Sequence, residues 1–256
     1  MNPLAKLGKS KSLALLLAGV TLLVLWTLRA KLWFDPETYS AGFADKKTLL
    51  GIPNFGDVVT NLGFAILGLY GFRRLDRMPE SYRGLATVFA MAIFGTALGS
   101  AYFHFAPAPL TLFWDQLPMS IGFASFVGMV VADRVSIPAG NRLGFALCIL
   151  GPWSVWNIYY GSGETAYYLA LQFGTLIYAI LLLVFSKGGA LQTKAVMGGL
   201  VAYILAKVFE SHDAEIYERL GFISGHSLKH LAATVALAAI LWGAQSRAVL
   251  EKSGRE

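Results

Sequence analysis

The stretch that decides the fold is "GSAYFHFAPAPLTLFWDQLPM", residues 99–119, in which polar side chains interrupt two long apolar runs. Ser100, His104 and Asp115 lie where one apolar segment ends and the next begins. An ionisable group at membrane depth is costly unless it is paired, hydrated or bound to a metal, and a chain that keeps such groups generally uses them. These three residues are therefore the first candidates for a functional site.

The composition places the stretch in a membrane protein. Of 256 residues, 56% are hydrophobic and only 14% are charged, and the mean hydropathy is +0.58. A soluble domain carries about 25% charged residues. The net charge of +6 is typical of membrane proteins with Lys and Arg in their cytoplasmic loops, so it does not indicate nucleic-acid binding. A single cysteine, Cys148, excludes an intramolecular disulfide.

The apolar runs predict an all-α fold, a polytopic transmembrane helical bundle with a seven-helix core and one extra N-terminal span. A spanning helix needs about 20 mostly apolar residues. The first run resembles a signal peptide, but its length and its end at Trp26 favour an uncleaved span. The predicted domains are an N-terminal span with an outer loop (1–43), the core (44–245) and a cytoplasmic tail (246–256). The eight predicted spans are 12–29, 56–72, 84–105, 116–132, 142–159, 166–185, 194–210 and 226–244.

The loop charges predict the orientation of this bundle. With the N-terminus inside, the inner segments hold fourteen Lys and Arg residues and the outer segments five. Cytoplasmic loops carry the excess of positive charge in membrane proteins. Both termini are therefore expected in the cytoplasm. Short loops favour the inner membrane of a bacterium.

This orientation brings three histidines to one membrane depth. Ser100 and His104 lie one turn apart at the outer end of the third span, and Asp115 is expected to open the fourth at the same level. His226 and His230 begin the last span, also one turn apart. Residues four apart lie on the same face of a helix. Only four histidines occur in the chain, so three at one level indicate a shared role.

Three imidazoles are the ligand set of a catalytic zinc site with one open position. Zinc lowers the pKa of a water ligand to about 7. Asp115 is then suited to accept a proton as general base, and Ser100 to donate a hydrogen bond to an oxyanion. This set suits hydrolysis of a carbonyl compound with a hydrophobic tail. Each residue alone has a simpler interpretation: Asp115 as a helix cap, Ser100 as a packing residue, and each histidine as an interfacial hydrogen-bonding group.

The motifs resemble those of the alkaline ceramidase family of seven-helix membrane hydrolases. That pattern has Ser-x3-His, an Asp eleven residues later and His-x3-His in the last helix. It is matched here by "GSAYFHFAP", "WDQLPM" and "GHSLKHLAA". "IPNFGDVVTNLGF" (52–64) is similar to the first core helix of the family. The resemblance covers roughly residues 44–245.

The resemblance implies a zinc-dependent amidase that cleaves ceramide-like membrane lipids into a sphingoid base and a fatty acid. It implies zinc ligation by His104, His226 and His230, activation of water by Asp115 and oxyanion stabilisation by Ser100. Animal members also carry a calcium site completed by a Glu at the start of the first core helix. Asn54 stands at that position here, and the preceding loop offers only Asp45. Calcium is therefore not expected.

Other functions fit parts of the pattern. The same site could act on another acyl lipid, amide or ester. A receptor or sensor similar to the progestin and adiponectin receptor group would hold zinc without hydrolysis, although the predicted orientation is opposite to that group. A proton-coupled transporter would need ionisable residues strung across the membrane. Lys229, between two of the histidines, suggests either a snorkelling side chain or a partner for Glu210, which also shares a helix face with Lys207.

Overall fold

The computed structural model describes residues 3–29, 32–187 and 189–245, with the backbone alone for residues 3–10. Within these ranges the secondary structure consists of helices and one isolated β-bridge, between Leu49 and Ile52. The predicted all-α fold is therefore confirmed. The predicted cytoplasmic tail, 246–256, lies outside the described residues.

Eleven α-helices follow one another along the described chain, with a short 3-10 helix at Leu75–Arg77 between α4 and α5. They are α1 (Pro3–Leu28), α2 (Pro36–Ala41), α3 (Phe55–Val59), α4 (Leu62–Arg73), α5 (Arg83–Phe105), α6 (Pro109–Arg134), α7 (Ile137–Tyr160), α8 (Ala166–Phe185), α9 (Thr193–Ser211), α10 (Asp213–Leu220) and α11 (Gly225–Gly243).

Five helical segments of the described chain are long and apolar enough to cross a membrane. The chain is thus membrane-embedded by the length and composition of its helices. The helices α7, α9 and α11 coincide with three further predicted spans but are not among the five, so eight crossings stay a prediction. The five segments are Lys11–Leu28, Phe55–Arg73, Arg83–Phe105, Pro109–Arg134 and Ala166–Phe185.

The second predicted span, 56–72, is not one continuous helix. It breaks between α3 and α4 at Thr60 and Asn61. The Thr60 hydroxyl donates to the Gly56 carbonyl (2.7 Å) and the Asn61 amide donates to the Asp57 carbonyl (2.7 Å). Such side-chain bonds compete with the helical backbone ladder, and sequence periodicity does not show the break.

The fourth predicted span, 116–132, begins too late. The helix α6 starts at Pro109, so Asp115 lies inside it rather than at its first residue. Proline suits the first turn of a helix because that turn has no partner for its missing N–H. The N–H group of Ala108, the residue before Pro109, donates to the Thr111 hydroxyl at 3.0 Å. The helix therefore starts at Pro109, before the predicted span.

The helices α5 and α6 approach most closely at Gly99. A Cβ atom at this position would lie 2.0 Å from the carbonyl oxygen of Trp114. A helical carbonyl normally accepts from the N–H four residues later, but position 118 is a proline with no N–H. The Trp114 carbonyl points toward Gly99 instead. This contact sets Ser100 beside Asp115, because each follows one of the two touching residues.

The start of α11 is fixed by a second close approach. A Cβ atom at Gly225 would lie 2.2 Å from the Phe209 carbonyl of α9. Ser224 caps the helix, accepting a hydrogen bond from the Ser227 N–H at 2.8 Å. The cap and the glycine together place the two histidines of the first turns of α11 against the C-terminal ends of α5 and α9.

Candidate metal and active site

The three histidines of the predicted metal site meet in the structure. His104 comes from the last turn of α5, and His226 and His230 from the first two turns of α11. The Nε2 atoms of His104 and His226 are 3.1 Å apart, and one ligand nitrogen of each ring lies within 4.8 Å of those of the other two. All three side chains are buried. The geometry brings the residues together; zinc binding itself stays a prediction.

The spacing of the nitrogens fits one tetrahedral cation. Zinc–nitrogen bonds of about 2.0–2.1 Å in tetrahedral geometry place ligand nitrogens roughly 3.3 Å apart. The pair of Nε2 atoms is close to this value at 3.1 Å, and the ligand atoms of all three residues lie within 4.8 Å of one another. The Nε2 atom of His230 is buried and has no hydrogen-bond partner among the described residues. Buried polar atoms are normally bonded, so a free ring nitrogen facing two other imidazoles supports a metal site.

The other side of the His230 ring is held by a threonine. Thr60, at the break between α3 and α4, places its hydroxyl oxygen 2.9 Å from His230 Nδ1. Metal-binding histidines generally use their second nitrogen in such a bond, which fixes the ring orientation. Thr60 also leaves Nε2 as the nitrogen available for a ligand. Sequence reasoning missed this residue because the helix break that exposes its side chain is not visible in the hydropathy pattern.

Aromatic side chains shield the imidazoles from water. The Phe43 ring contacts both His104 and His226 edge-on, with ring centroids 4.9 and 4.4 Å apart. The Phe64 ring contacts His230 at 5.9 Å. Phe43 lies in the loop between α2 and α3, so this loop covers the site. Low solvent access strengthens electrostatic interactions at a metal centre.

The predicted general base and oxyanion donor lie beside the histidines. The side chains of Ser100 and Asp115 are buried, and the Ser100 hydroxyl is a hydrogen-bond partner of the Asp115 carboxyl group. Both residues line a cavity of about 320 Å³ that is also lined by His230. A carboxylate, a hydroxyl and an imidazole therefore face one space large enough for part of a substrate.

A second, apolar cavity of about 110 Å³ lies next to the first. The two cavities share five wall residues: Phe64, Thr96, Met119, Tyr203 and Ala233. Beyond these, the inner wall is formed by aliphatic and phenyl side chains such as Phe89, Ile93 and Leu200. The polar site thus lies beside an apolar space.

A lysine stands next to the histidines. The Lys229 ammonium is 2.6 Å from His226 Nε2 and 3.3 Å from Glu210 Oε1. Glu210 also accepts hydrogen bonds from Lys207 and from the Tyr39 hydroxyl, the latter at 2.9 Å. Both pairings of Glu210 that the sequence suggested are therefore present. Binding of a metal at His226 Nε2 requires Lys229 to leave that nitrogen and to keep Glu210 as its partner.

Tyr39 lies in the short helix α2 outside the membrane-spanning segments. Burial and the neighbouring Glu210 carboxylate raise the pKa of the Tyr39 hydroxyl well above its usual value of 10.0. The hydroxyl therefore stays protonated and donates to Glu210 at any physiological pH. This bond ties α2 to α9 beside the cavity.

Two aspartates that do not line the cavity connect the segments around it through hydrogen bonds. Asp57 accepts hydrogen bonds from the hydroxyls of Ser224 (2.8 Å) and Ser227 (2.6 Å), so it anchors α3 to the start of α11. Asp213 accepts from the backbone N–H groups of His226 (2.7 Å) and Ala44 (2.8 Å). The Asp57 carboxylate thus bonds to hydroxyls at the start of α11 and not to an imidazole. Asp213 gave no signal in the sequence because it lies in a polar segment far from any motif.

The loop before α3 is also held by hydrogen bonds, to α3 and to the end of α5. Asp45 accepts hydrogen bonds from the backbone N–H groups of Lys47 (3.0 Å), Gly56 (2.7 Å) and Asp57 (3.3 Å). The Asn54 side chain donates to the His104 carbonyl at 2.7 Å. Both residues that stand in the region of the family's calcium site therefore bind the protein backbone, and Asn54 fixes the end of the helix that carries His104.

Comparison with known proteins adds one relationship. The model of a Family of unknown function (DUF6962) matches residues 57–249, a segment that contains all five candidate site residues. No curated protein matches the chain.

Proposed function

This chain belongs to the Family of unknown function (DUF6962), and we propose from its site that it is a zinc-dependent, membrane-embedded hydrolase that cleaves the amide bond of ceramide-like lipids. One observation carries the proposal: the ligand nitrogens of three buried histidines lie within 4.8 Å of one another, and one of these residues, His230, lines a cavity with Ser100 and Asp115, next to an apolar cavity. The resemblance of the same five residues to the alkaline ceramidase pattern supports the choice of an amide bond.

The histidines would hold the metal, with His230 oriented by Thr60. A zinc ion, when bound, supplies Lewis acidity at the carbonyl and makes a water molecule acidic enough to act near neutral pH. Asp115 lines the cavity and would take the proton of the attacking water and pass it to the leaving amine. A general base of this kind contributes about 10²–10⁴-fold to the rate.

Ser100 would act on the carbonyl oxygen. Its hydroxyl is bonded to Asp115 in the structure, and a rotation about its side-chain bond would turn the donor toward the cavity. A single donor aimed at a developing oxyanion is worth about 10²–10³-fold in rate. The apolar cavity between Phe89, Ile93 and Leu200 would take the acyl chain, and the lipid bilayer would supply the substrate. The inner membrane of a bacterium, with the site near the outer face, is the location that the loop charges favour.

The proposal is tested by measuring zinc content and fatty-acid release on the purified protein. The substrates are a panel of N-acyl lipids that includes neutral and charged head groups. We expect about one zinc per chain and release of fatty acid from at least one lipid. Asp115→Asn should keep the zinc and lose at least about 100-fold in turnover. A protein that binds zinc and releases fatty acid from no acyl lipid would favour the receptor or sensor hypothesis instead.

A further inference from the structure

The polar end of the cavity carries two lysines that a neutral ceramide does not require. Lys207 and Lys229 both line the cavity wall. The side chain of Lys229 is 17% exposed and that of its partner Glu210 is 16% exposed, whereas Lys207 is 41% exposed. Ionisable groups at membrane depth are costly and generally functional. Their position beside the predicted scissile bond therefore bears on which substrate the site accepts.

The carboxylate of Glu210 lies between the two lysines, and both of its oxygens already accept hydrogen bonds. Glu210 Oε2 accepts from Lys207, and Glu210 Oε1 accepts from both Lys229 and Tyr39. Two ammonium groups thus share one negative charge. The other carboxylate on the cavity wall, Asp115, is bonded to Ser100 and is the predicted proton acceptor.

Lys229 has a hydrogen-bond donor left for a ligand. An ammonium group carries three N–H donors, and the contacts of Lys229 within the described chain are Glu210 and the ring nitrogen of His226. When His226 Nε2 serves a cation, the second contact is no longer available and the local positive charge increases. An anionic ligand group in the cavity would satisfy both the donors and the charge.

We propose that Lys229, held by Glu210 and supported by Lys207, is the binding site for an anionic head group, a phosphate or a carboxylate, on the lipid that this site hydrolyses. The inference rests on the proposed function and narrows its substrate class to ceramide-like and other N-acyl lipids with a negative charge near the acyl bond. Tyr39 contributes by fixing Glu210, which in turn positions Lys229.

The test measures lipid binding to the metal-free full chain in nanodiscs, so that it does not depend on catalysis. The probes are a ceramide phosphorylated on its head group, an N-acyl amino acid and a neutral ceramide with the same acyl chain. We expect both anionic lipids to bind at least tenfold more tightly than the neutral one. A hydrogen bond between charged groups accounts for roughly a ten- to hundredfold preference.

Lys229→Met should abolish this preference and Lys229→Arg should retain most of it. Lys229→Gln serves as a second variant if the methionine protein is unstable, because glutamine can still donate to Glu210. The matched control is Lys47→Met, which removes the same charge from an exposed lysine of the outer loop and should leave binding unchanged. Free phosphate at the same concentration tests whether the lipid is required.

The outcomes separate this inference from the proposed function. Equal binding of neutral and anionic lipids, or an unchanged preference in both uncharged Lys229 variants, overturns the anionic site and leaves hydrolysis standing. A preference that depends on Lys229, together with no fatty-acid release by the zinc-loaded protein, overturns the proposed function and leaves the anion site as a binding site. Competition by free phosphate as effective as by the phosphorylated lipid overturns the assignment to a lipid head group.

Discussion

The Nε2 atom of His226 lies 3.1 Å from the Nε2 atom of His104, although 122 residues separate them along the chain. Without a metal, the Nε2–H tautomer of one ring can donate to the other, and Lys229 also contacts His226 Nε2 at 2.6 Å. The approach of His230, whose own Nε2 atom is buried and unpartnered among the described residues, supports a cation shared by the three rings. The predictions below follow from this cluster and the residues that hold it.

Replacement of a cluster histidine should remove the metal. We expect His104→Ala and His226→Ala to lose bound zinc, because two remaining imidazoles make an incomplete site. The measurement is metal content after purification in zinc-containing buffer, by mass spectrometry. His212 is the matched control: it is exposed, and within the described part of the chain its ring forms hydrogen bonds with Ser211 and the Val208 carbonyl. Zinc retained in both cluster variants, or lost in His212→Ala, would contradict the site.

Removal of the Thr60 hydroxyl should weaken the site without removing a ligand. Thr60→Val keeps the shape of the side chain and loses the bond to His230 Nδ1. Loss of such a supporting bond typically lowers metal affinity about 10–100-fold. The affinity is measured by competition with a chelator.

Thr87→Val is the control for this prediction. Thr87 makes a similar bond to a backbone carbonyl, that of Arg83, in the first turns of α5 and far from the histidines. Its replacement should leave zinc affinity unchanged. An equal effect of the two substitutions would show that Thr60 acts on general stability and not on the His230 ring.

The parts of the fold and site that depend on local spacing were predictable from the sequence. The length of the apolar runs predicted the helices. The four-residue spacings of Ser100 with His104 and of His226 with His230 predicted two pairs of residues on common helix faces. The meeting of these pairs was predictable only because loop charges placed them at one depth. The distance between them depends on helix packing, which a single sequence does not specify.

Features that depend on a local exception to a rule were not predictable. The helix α6 starts at Pro109, earlier than predicted, so Asp115 lies two turns further into α6 than expected. Thr60 reaches His230 because the helix breaks at that residue. Asp213 holds the His226 backbone from a polar segment that has no motif. The last two are hydrogen bonds between elements, and hydropathy carries no information on such bonds.

Gly99 should be required for the geometry of the site rather than for helix formation. Gly99→Ala places a Cβ atom 2.0 Å from the Trp114 carbonyl oxygen, so α5 and α6 must separate and Ser100 must move from Asp115. In a helix without contacts the same change stabilises by about 1 kcal/mol. We expect lower thermal stability and at least tenfold lower hydrolysis. Gly198→Ala is the control, because a Cβ atom there would meet no side chain or neighbouring element of the described residues within 4 Å, and it should be neutral or stabilising.

Acyl-chain selectivity should depend on the inner cavity. Ala236 of α11 is buried and lines the apolar cavity. In Ala236→Phe the phenyl ring would fill part of this space of about 110 Å³, so lipids with long acyl chains should lose binding and hydrolysis more than lipids with short ones. Overpacking costs about 1–3 kcal/mol, so thermal unfolding is measured alongside, and the quantity compared is the ratio of kcat/KM for long and short acyl chains.

Val235→Phe tests whether this selectivity comes from the cavity. Val235 is the neighbouring residue on the same helix but is 61% exposed on the outer surface of the bundle, so its enlargement leaves the cavity unchanged. We expect the ratio for long and short chains to fall about tenfold in Ala236→Phe and to stay at the wild-type value in Val235→Phe. An unchanged ratio in a folded Ala236→Phe protein would mean that the acyl chain binds elsewhere, because a hydrocarbon chain and a phenyl ring cannot occupy the same space.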